Sequence, residues 1–373
     1  MKICFLAGAN SLHSHRWIKY FVNIGYEVHW ISLMPSNELL QNVEFYDLGP
    51  LSTNPVRIMW QVIKFRKLIK RISPDILHIH SAGTYGLIGM LSGFHPAIVT
   101  AWGSDVLIAG KSAIKKPVIK YVLRNADLIT CDADHMINNI SKLGIDTIKT
   151  KLIYFGVEPD KFSPGIKDKK LLEKWETNDS PVVISLRNLE PVYDIETLIN
   201  CIPHVLKKIP KVKFIIAGTG SQEERLKKLT ELMGVMNNTR FIGRYSHVEL
   251  PNYLRSSDIY VSTSLSDAGI AASTAEAMAT GLAVIITDSG ENRKWIQDEK
   301  NGLIFPIRNS KILAEKIIYL LKHDEIRKQI GMKGRITIEN KNNYYKEMEK
   351  MEKLYREIIE ARRQKRKMPF LSL

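Results

Sequence analysis

The stretch SDAGIAASTAEAMATGLAVIITDSGENRKWI, residues 266–296, decides the fold of the second half of the chain. Residues 269–275 carry no side chain larger than one isoleucine, and a lone carboxylate, Glu276, follows them where a helical pattern begins. Gly281 is predicted to end that helix, and AVIIT at 283–287 is typical of a short buried strand. The stretch therefore predicts a loop, a helix and a strand in the order found in parallel α/β sheets.

Two interpretations of Glu276 stay open on these residues alone. Ser273 and Glu276 match the S-x-x-E capping box, in which Ser273 caps the helix and Glu276 binds the N–H of the cap residue. That interpretation does not explain why residues 268–272 are so small. Small residues before a helix N-terminus let a phosphate group lie on backbone N–H groups, an arrangement that the helix dipole favours.

The composition is that of an ordinary globular protein with room for two domains. The 373 residues are 45% hydrophobic and 25% charged, and 54 Lys and Arg against 39 Asp and Glu give a net charge of +15. This excess of cations predicts an anionic partner, but charge alone does not choose among a nucleotide, a lipid headgroup and a nucleic acid.

The cysteines and the apolar runs bear on the compartment. Cys4, Cys131 and Cys201 are far apart in apolar runs, a pattern typical of buried thiols in a reducing compartment. No run of about 18 apolar residues indicates a membrane span. We therefore expect a cytoplasmic protein, either soluble or bound to the inner face of the cell membrane.

Apolar runs alternate with amphipathic stretches along the chain, which predicts two Rossmann-like α/β domains facing each other across a cleft. The predicted strands are KICFLAG, EVHWISL, DILHIH, AIVTA, DLITC and KLIY in the first half, and PVVISL, VKFIIAG, TRFIG, DIYVST, AVIIT and GLIF in the second. The predicted organisation is an acceptor-side domain at 1–160, a lysine-rich linker at 161–180, a nucleotide-sugar-binding domain at 181–340, and a C-terminal helix with a basic tail at 341–373.

The C-terminal helix carries one apolar stripe, which we expect to pack back on the N-terminal domain. The stripe consists of Met348, Met351, Tyr355 and Ile358. The final RRQKRK, followed by MPFLSL, fits either a solvated tail or a weak anchor to anionic lipid.

Several short motifs admit a structural and a functional interpretation. Gly218 and Gly220 follow a strand, but Glu223 occupies the third glycine position of a dinucleotide fingerprint, so a tight turn is favoured.

In CDAD, Asp134 is predicted to N-cap a helix rather than to hold a metal. His78 and His80 share one strand face, yet no third metal ligand is near in sequence.

Two charged residues follow predicted strands directly. Asp105, in TAWGSDVL, is either a helix N-cap or a group that hydrogen-bonds a ligand hydroxyl. Arg187, in SLRNLEPVYD, either pairs bidentately with phosphate or forms a salt bridge with Glu190 or Asp194.

In their order and spacing, these stretches are recognisable. PDILHIH, the WGSD turn, IYFGVEPDKFSP, SLRNLEPVYDIETLI, FIIAGTGSQEERL, RFIGRYSHVELPNYLRSSDIYVSTS, the EAMATGLAVIITDSGEN block and NGLIFP follow one another along nearly the whole chain. With this order the chain resembles the family-4 retaining glycosyltransferases of the GT-B fold.

The resemblance implies roles for particular residues. Glu276 would bind the ribose hydroxyls of a nucleotide sugar, and the loop Gly269, Ile270 and Ala271 would lie against its diphosphate and sugar. Arg187 would neutralise the leaving diphosphate, and Arg244 and Tyr245 would lie beside the base. The resemblance further implies retention of configuration by front-face attack, without a metal, a cofactor or a covalent nucleophile. The remaining implied residues are Asp105 and Asp267 as catalytic groups and, on the acceptor side, Asn10, Ser11, His15, Trp102 and Gly103.

Three positions depart from the family pattern. Tyr193 stands where the family usually has a lysine on the diphosphate, and Trp102-Gly103 stands where many members have His-Gly. Asp267 lies nine residues before Glu276 and not eight, with Ala268 at the usual position. These departures bear on the identity of the sugar.

For partners, the resemblance implies a nucleotide-sugar donor, with a UDP-sugar favoured over a GDP-sugar, and a glycan or polyprenyl-linked acceptor. The basic residues Lys111, Lys115, Lys116, Lys120 and Arg124 favour an acceptor at an anionic membrane surface, against the alternative of a solvated helix face. No nucleic-acid partner is expected. An NAD(P)-dependent oxidoreductase and a non-catalytic basic membrane-binding scaffold stay open as alternatives.

Overall fold

The computed structural model describes residues 1–36, 39–107, 112–177, 180–267 and 269–367. The chain folds into two compact units. The first comprises Met1–Phe155 and the C-terminal stretch from Tyr345, and the second comprises Gly156–Tyr344.

The first unit is built on a parallel sheet in the order β3-β2-β1-β4-β5-β6-β7. Its strands are β1 (Lys2–Leu6), β2 (Glu27–Ser32), β3 (Val43–Asp47), β4 (Ile76–His80), β5 (Ala97–Ala101), β6 (Leu128–Cys131) and β7 (Thr150–Leu152). The sequence predicts all of these except β3. That strand, VEFYD, lies at the sheet edge and mixes acidic with apolar residues, so it lacks the continuous apolar run of a buried strand.

Helices cover this sheet and enclose a core that includes Phe65, Ile79, Val99 and Ile129. They are α1 (Leu12–Asn23), α2 (Pro55–Ile72), α3 (Thr84–Leu91), α4 (Ser104–Leu107), α5 (Lys116–Asn125) and α6 (Asp134–Lys142). The predicted helices at 56–72 and 116–126 correspond to α2 and α5. Ala133 occupies the N-cap position of α6 and Asp134 is its first helical residue, so the prediction of an Asp134 N-cap is wrong.

The second unit has a parallel sheet in the order β10-β9-β8-β11-β12-β13, and all six of its strands were predicted. They are β8 (Val182–Ser185), β9 (Lys213–Ala217), β10 (Thr239–Gly243), β11 (Ile259–Ser262), β12 (Ala283–Thr287) and β13 (Leu303–Phe305). Its helices are α7 (Lys169–Lys174), α8 (Ile195–Leu206), α9 (Glu223–Leu232), α10 (Leu250–Arg255), α11 (Ala272–Ala279), α12 (Asn292–Trp295), α13 (Ser310–Lys322) and α14 (Asp324–Lys341).

The segment predicted as a linker belongs to this second unit. It contains α7, and its apolar residues Leu171, Leu172 and Trp175 are buried. Arg255 also donates hydrogen bonds to the Ser163 carbonyl and hydroxyl oxygens. The lysines of segment 161–180 therefore lie on the solvated face of a segment that packs on the second unit.

The last helix, α15 (Tyr344–Lys367), packs on the first unit. Met348, Met351 and Tyr355 are buried as expected, and the Tyr355 hydroxyl hydrogen-bonds to His78 Nδ1. Ile358, predicted as the last member of the stripe, is only half-buried, whereas Ile359, one i,i+4 step after Tyr355, is buried. Among the described helices, none combines the length and apolar character needed to cross a bilayer.

Candidate functional site

In the second unit, four neighbouring strands end at the same edge of the sheet. Because β10, β9, β8 and β11 run parallel side by side, the loops that follow them emerge together. These loops carry Arg244 and Tyr245 after β10, Gly218 and Gly220 after β9, Arg187 after β8, and Asp267 after β11. The fold thus brings the residues predicted for donor binding to one edge.

Arg187 forms an ion pair with Asp267. Its Nη2 donates to Asp267 Oδ1 at 2.7 Å, and the two side chains are only 12% and 6% exposed. The predicted salt bridge of Arg187 with Glu190 or Asp194 is therefore wrong, because Asp267 lies on the adjacent strand end. Arg187 Nε is buried and donates to no acceptor within the described part of the chain, so one strong donor is left for a further anion.

Tyr193, which replaces the lysine of the family pattern, lies against Arg187. The guanidinium carbon is 4.4 Å from the centroid of the Tyr193 ring, the geometry of a cation–π contact. The Tyr193 side chain therefore holds the guanidinium from one side while Asp267 holds it from another.

The loop that carries Asp267 is fixed by backbone acceptors on both sides. Thr263 Oγ1 donates to the Tyr193 carbonyl at 2.7 Å, and Thr287 Oγ1 donates to the Ser264 carbonyl at 2.5 Å. Gly290, at φ 55°, lies so close that a Cβ there would be 1.8 Å from the Asp267 carbonyl oxygen. Asp267 is therefore positioned by the ends of β11 and β12 and by the loop that follows β8.

Helix α11 begins at Ala272, directly after the loop Gly269, Ile270 and Ala271. The predicted capping box is wrong: Ala271 occupies the cap position, and no side chain accepts a hydrogen bond there. Ser273 instead bonds the buried Tyr260 hydroxyl at 2.8 Å, and Arg187 Nη1 lies 3.5 Å from its Oγ. The first N–H groups of α11 thus have no side-chain cap, and the positive end of its dipole lies beside Arg187.

Glu276 is buried inside α11 and is held by a short chain of hydrogen bonds. His247 Nε2 lies 3.1 Å from Glu276 Oε1, and Lys161 Nζ lies 2.8 Å from His247 Nδ1. A lysine ammonium only donates, so Nδ1 accepts and Nε2 carries the proton given to Glu276. Lys161 and His247 were missed from the sequence, because they lie 115 and 29 residues from Glu276.

Tyr245 is half-buried near Glu276. Burial raises the pKa of its hydroxyl, and the charge of Glu276 raises it further, while Arg187 lowers it less. The neutral hydroxyl donates to the Leu186 carbonyl at 3.3 Å. Arg244 is exposed at the rim.

The turn with Gly218 and Gly220 packs on the loop after β8. A Cβ at Gly218 would be 2.6 Å from the Arg187 carbonyl oxygen, and one at Gly220 would be 2.4 Å from that of Leu189. These glycines are therefore required by close backbone approach, as the predicted tight turn implies.

The first unit contains a separate pocket of about 310 Å³ at the ends of β4 and β5. It is lined by side-chain hydroxyls and rings, including Ser11, Ser14, Ser81, Thr84, His80 and Trp102. Trp102 stacks on His13 with ring centroids 4.9 Å apart. Among the acceptor-side predictions, Ser11 and Trp102 are thus brought together.

The other residues predicted for the acceptor side or for catalysis in the first unit make contacts within the fold. His15 Nε2 donates to the Ala9 carbonyl at 2.6 Å, Asn10 Nδ2 lies 3.9 Å from Met34 Sδ, and the Gly103 carbonyl accepts the N–H of Leu107. Asp105 lies inside α4 and accepts the Ala82 N–H at 2.8 Å, and burial raises its pKa. It is therefore not a helix N-cap, and its catalytic role stays a prediction.

His13 was not among the predicted site residues, whereas His80 was expected at most to line the cleft from its strand end. Burial lowers the pKa of His13 to about 4, and Arg16 adds to the effect. Burial and His13 lower the pKa of His80 to about 3, and His80 Nε2 has no hydrogen-bond partner among the described residues. The i,i+4 spacing of His13 and Trp17 in α1 is the sequence signal for this aromatic cluster.

His78 has a structural role, because both of its ring nitrogens are hydrogen-bonded inside the first unit. Its Nδ1 bonds the Tyr355 hydroxyl, and its Nε2 lies 2.6 Å from Thr100 Oγ1. Lys111 and Ala268 lie outside the described residues.

Two family models match the chain. The model of the glycosyl transferases group 1 matches residues 167–337, and the glycosyl transferase 4-like model matches residues 2–133. Together they span the strand ends that carry both groups of site residues.

Relatives with described activities are similar over most of the chain. Identity is 23% over 287 residues, 73% of each chain, to the GDP-mannose-dependent alpha-(1-6)-phosphatidylinositol monomannoside mannosyltransferase of Mycobacterium tuberculosis. Sequence identity to the UDP-Gal:alpha-D-GlcNAc-diphosphoundecaprenol alpha-1,3-galactosyltransferase of Escherichia coli is 25% over 328 residues. The match covers 82% of this chain and 81% of that one. The structure of Anabaena HepE in complex with UDP-glucose matches with a TM-score of 0.79 at 17% identity, over 95% of this chain and 99% of that one, which shows the common fold.

Proposed function

We propose that this glycosyltransferase, which belongs to family 4 and has the GT-B fold, moves a sugar from a nucleotide-diphosphate donor to a hydroxyl of a glycan or lipid-linked acceptor. The anomeric configuration is retained. A role in cell-surface polysaccharide or glycolipid synthesis is part of the proposal. The donor proposed is a UDP-sugar in preference to a GDP-sugar.

The observation that carries the proposal is the buried cation beside an uncapped helix N-terminus. Arg187 retains a buried Nε donor, and α11 begins next to it without a side-chain cap on its first N–H groups. Guanidinium and helix N-termini are the two groups that proteins use most readily for phosphate. In this proposal Glu276, the fifth residue of α11, accepts hydrogen bonds from the ribose hydroxyls of the donor.

In the proposed reaction, the bond between the anomeric carbon and the diphosphate oxygen breaks as the acceptor oxygen approaches from the same face. The new glycosidic bond forms, the acceptor proton passes to a phosphate oxygen of the donor, and the nucleoside diphosphate leaves. Negative charge grows on the departing diphosphate, so Arg187 and the α11 dipole stabilise the transition state more than the ground state. No protein nucleophile is needed, and Asp267 acts by holding Arg187.

The choice of donor and acceptor is supported by relatives only. One curated relative is named for UDP-Gal and a diphosphoundecaprenol acceptor, and the structural neighbour holds UDP-glucose. Another relative is named as GDP-mannose-dependent, so the base is the part of the proposal that most needs a test.

Thermal shift with UDP-, GDP- and CMP-sugars tests the donor first. A ligand that binds only the folded protein raises Tm, so the true donor is expected to raise it for wild type and not for Arg187→Ala. NAD and NADP serve as negative controls. The donor that binds is then incubated with a polyprenyl-diphosphate-linked sugar, and the anomeric configuration of the product is read by NMR.

Three outcomes contradict the proposal. A Tm shift with NAD or NADP alone contradicts the donor class, and an equal shift for wild type and Arg187→Ala contradicts the role of the arginine. An inverted anomeric centre contradicts the front-face mechanism.

A further inference from the structure

Helix α2 carries two apolar stripes, and the core uses only one of them. Val62, Phe65 and Ile69 face the core and are buried. On the opposite side, four large apolar side chains are exposed at the spacing i, i+3, i+4 and i+7: Val56 (78%), Met59 (53%), Trp60 (49%) and Ile63 (47%). This spacing places them on one face of the helix, so they form a continuous apolar patch, here called the α2 patch.

Cations surround the α2 patch. Arg57 and Lys64 flank it, and Lys64 Nζ lies 3.6 Å from the centroid of the Trp60 ring. Lys67, Lys70 and Arg71 continue the exposed side toward the C-terminus of α2. The 18 residues of the helix include no Asp or Glu.

The neighbouring helices extend this basic surface. Arg66 of α2 donates to the Leu91 carbonyl of α3, and Gly86 of α3 lies so close to α5 that a Cβ would meet Val122 at 2.6 Å. Helix α3 thus lies between α2 and α5. Neither α3 nor α5 contains an acidic residue, and α5 contributes Lys116, Lys120 and Arg124. This helical layer of the first unit therefore carries cations on α2 and α5 and no acid on any of its three helices, with the α2 patch at its exposed side.

From this placement we propose that the α2 patch docks on the surface of a membrane rich in anionic phospholipid. Trp60, Met59 and Ile63 enter the boundary between headgroups and acyl chains, and the surrounding lysines contact the phosphates. An exposed apolar face with a tryptophan and a rim of Lys and Arg is the signature of an interfacial helix. Charge complementarity selects an anionic bilayer over a neutral one.

Two other occupants fit less well. A second copy of the chain would bring two α2 helices together, each with six cations and no acid. A nucleic acid would satisfy the lysines but would leave Val56, Met59 and Ile63 without an apolar partner. Both are outcomes that the test separates from membrane docking.

The test is co-sedimentation of the full chain with vesicles of phosphatidylcholine alone and of phosphatidylcholine mixed with phosphatidylglycerol. Wild type is expected to bind the mixed vesicles and to be released by salt. Met59→Ser with Ile63→Ser is expected to weaken binding by about tenfold per side chain, since each loses apolar burial. Lys67→Gln with Lys70→Gln is expected to weaken it by about fivefold per lysine.

Matched controls lie elsewhere on the surface. Ile148→Ser removes an apolar side chain of the first unit that is 79% exposed, and Lys207→Gln with Lys208→Gln removes two exposed cations of the second unit. These variants are expected to bind as wild type does. A blue shift of tryptophan emission on the mixed vesicles, lost in Trp60→Phe, locates the contact, because Trp17, Trp30, Trp175 and Trp295 are buried and the half-buried Trp102 is retained in this variant.

The proposal is overturned if wild type does not bind mixed vesicles at low salt, or if Met59→Ser with Ile63→Ser binds them as wild type does. It is also overturned if the lysine variant loses affinity for single-stranded RNA but keeps its affinity for vesicles. The same holds if sedimentation velocity shows that the α2 patch variants dissociate a dimer. The assay contains no donor or acceptor, so its failure does not bear on glycosyl transfer.

Discussion

Arg187 and Asp267 form a buried ion pair of 2.7 Å between the loops that follow β8 and β11. The strands are neighbours in the sheet, although the two residues are 80 positions apart in sequence. Solvent screens this pair weakly, and removal of either partner would leave the other charge buried without compensation. In the proposed reaction the pair keeps the guanidinium in position before the diphosphate arrives.

We predict that Arg187→Ala lowers kcat/KM for the donor by about 10²–10³-fold, because one preorganised cation is lost from the developing negative charge. Initial rates at varied donor concentration measure this. Arg240→Ala, which breaks the exposed pair with Glu176, is the matched control and is expected to leave the rate unchanged. Activity of Arg187→Ala within threefold of wild type would contradict the assigned role.

We predict that His247 acts on the donor through Glu276. Glu276→Gln is expected to raise the donor KM about tenfold or more, because a hydrogen bond to a charged group is lost. His247→Phe keeps a ring beside Phe162, where the centroids are 5.7 Å apart, but removes the N–H, and a smaller rise is expected. The double variant should be less impaired than the product of the two effects.

A double-mutant cycle of donor KM values tests this coupling. Strict additivity would show that the contact between His247 and Glu276 does not matter for donor binding. Lys161→Met, measured in parallel, is expected to resemble His247→Phe, since it removes the donor to Nδ1.

We predict that Gly290→Ala impairs both stability and catalysis. The added Cβ would meet the Asp267 carbonyl, so the backbone that carries this carboxylate must move. Gly234→Ala is the matched control, because Gly234 also has a positive φ of 67° but has no atom within 4 Å of an added Cβ. The control is expected to lose about 1 kcal/mol from left-handed strain alone.

Urea unfolding and donor kinetics of both glycine variants provide the measurement. Equal losses of stability together with full activity in Gly290→Ala would indicate that the Asp267 loop adapts without consequence.

We predict that the first unit loses stability as the pH falls from 7 to 5. The folded pKa values of His13 (about 4) and His80 (about 3) lie below the ordinary histidine pKa of 6.5, so the unfolded chain binds protons in this range while the folded chain does not. The free energy of unfolding therefore decreases as the pH falls, by about 2 kcal/mol for each histidine between pH 7 and pH 5.

Urea unfolding at pH 7 and pH 5 checks this for wild type, His13→Gln and His80→Gln. Glutamine does not titrate, so each variant should show a smaller difference between the two pH values than wild type. An unchanged difference in both variants would mean that these histidines are protonated in the folded state.

The alternation of apolar runs was enough to predict twelve strands, because a buried parallel strand needs a continuous apolar segment whatever its neighbours. Strand β3 was missed for the same reason, since a half-exposed edge strand keeps polar residues. The order of motifs likewise predicted that Arg187 and Asp267 lie in loops after strands and that Glu276 belongs to a helix. These features are local to the chain, so the sequence alone determined them.

Only the tertiary structure decided which side chains meet. The partner of Arg187 depends on β8 and β11 being adjacent, and the support of Glu276 depends on a loop after β10 and on Lys161. Ser273 matches a capping box but bonds Tyr260, because the buried tyrosine hydroxyl must be satisfied. The sequence by itself determined the elements and the family, whereas the pairing of charges and the exposure of the α2 patch depended on packing between distant segments.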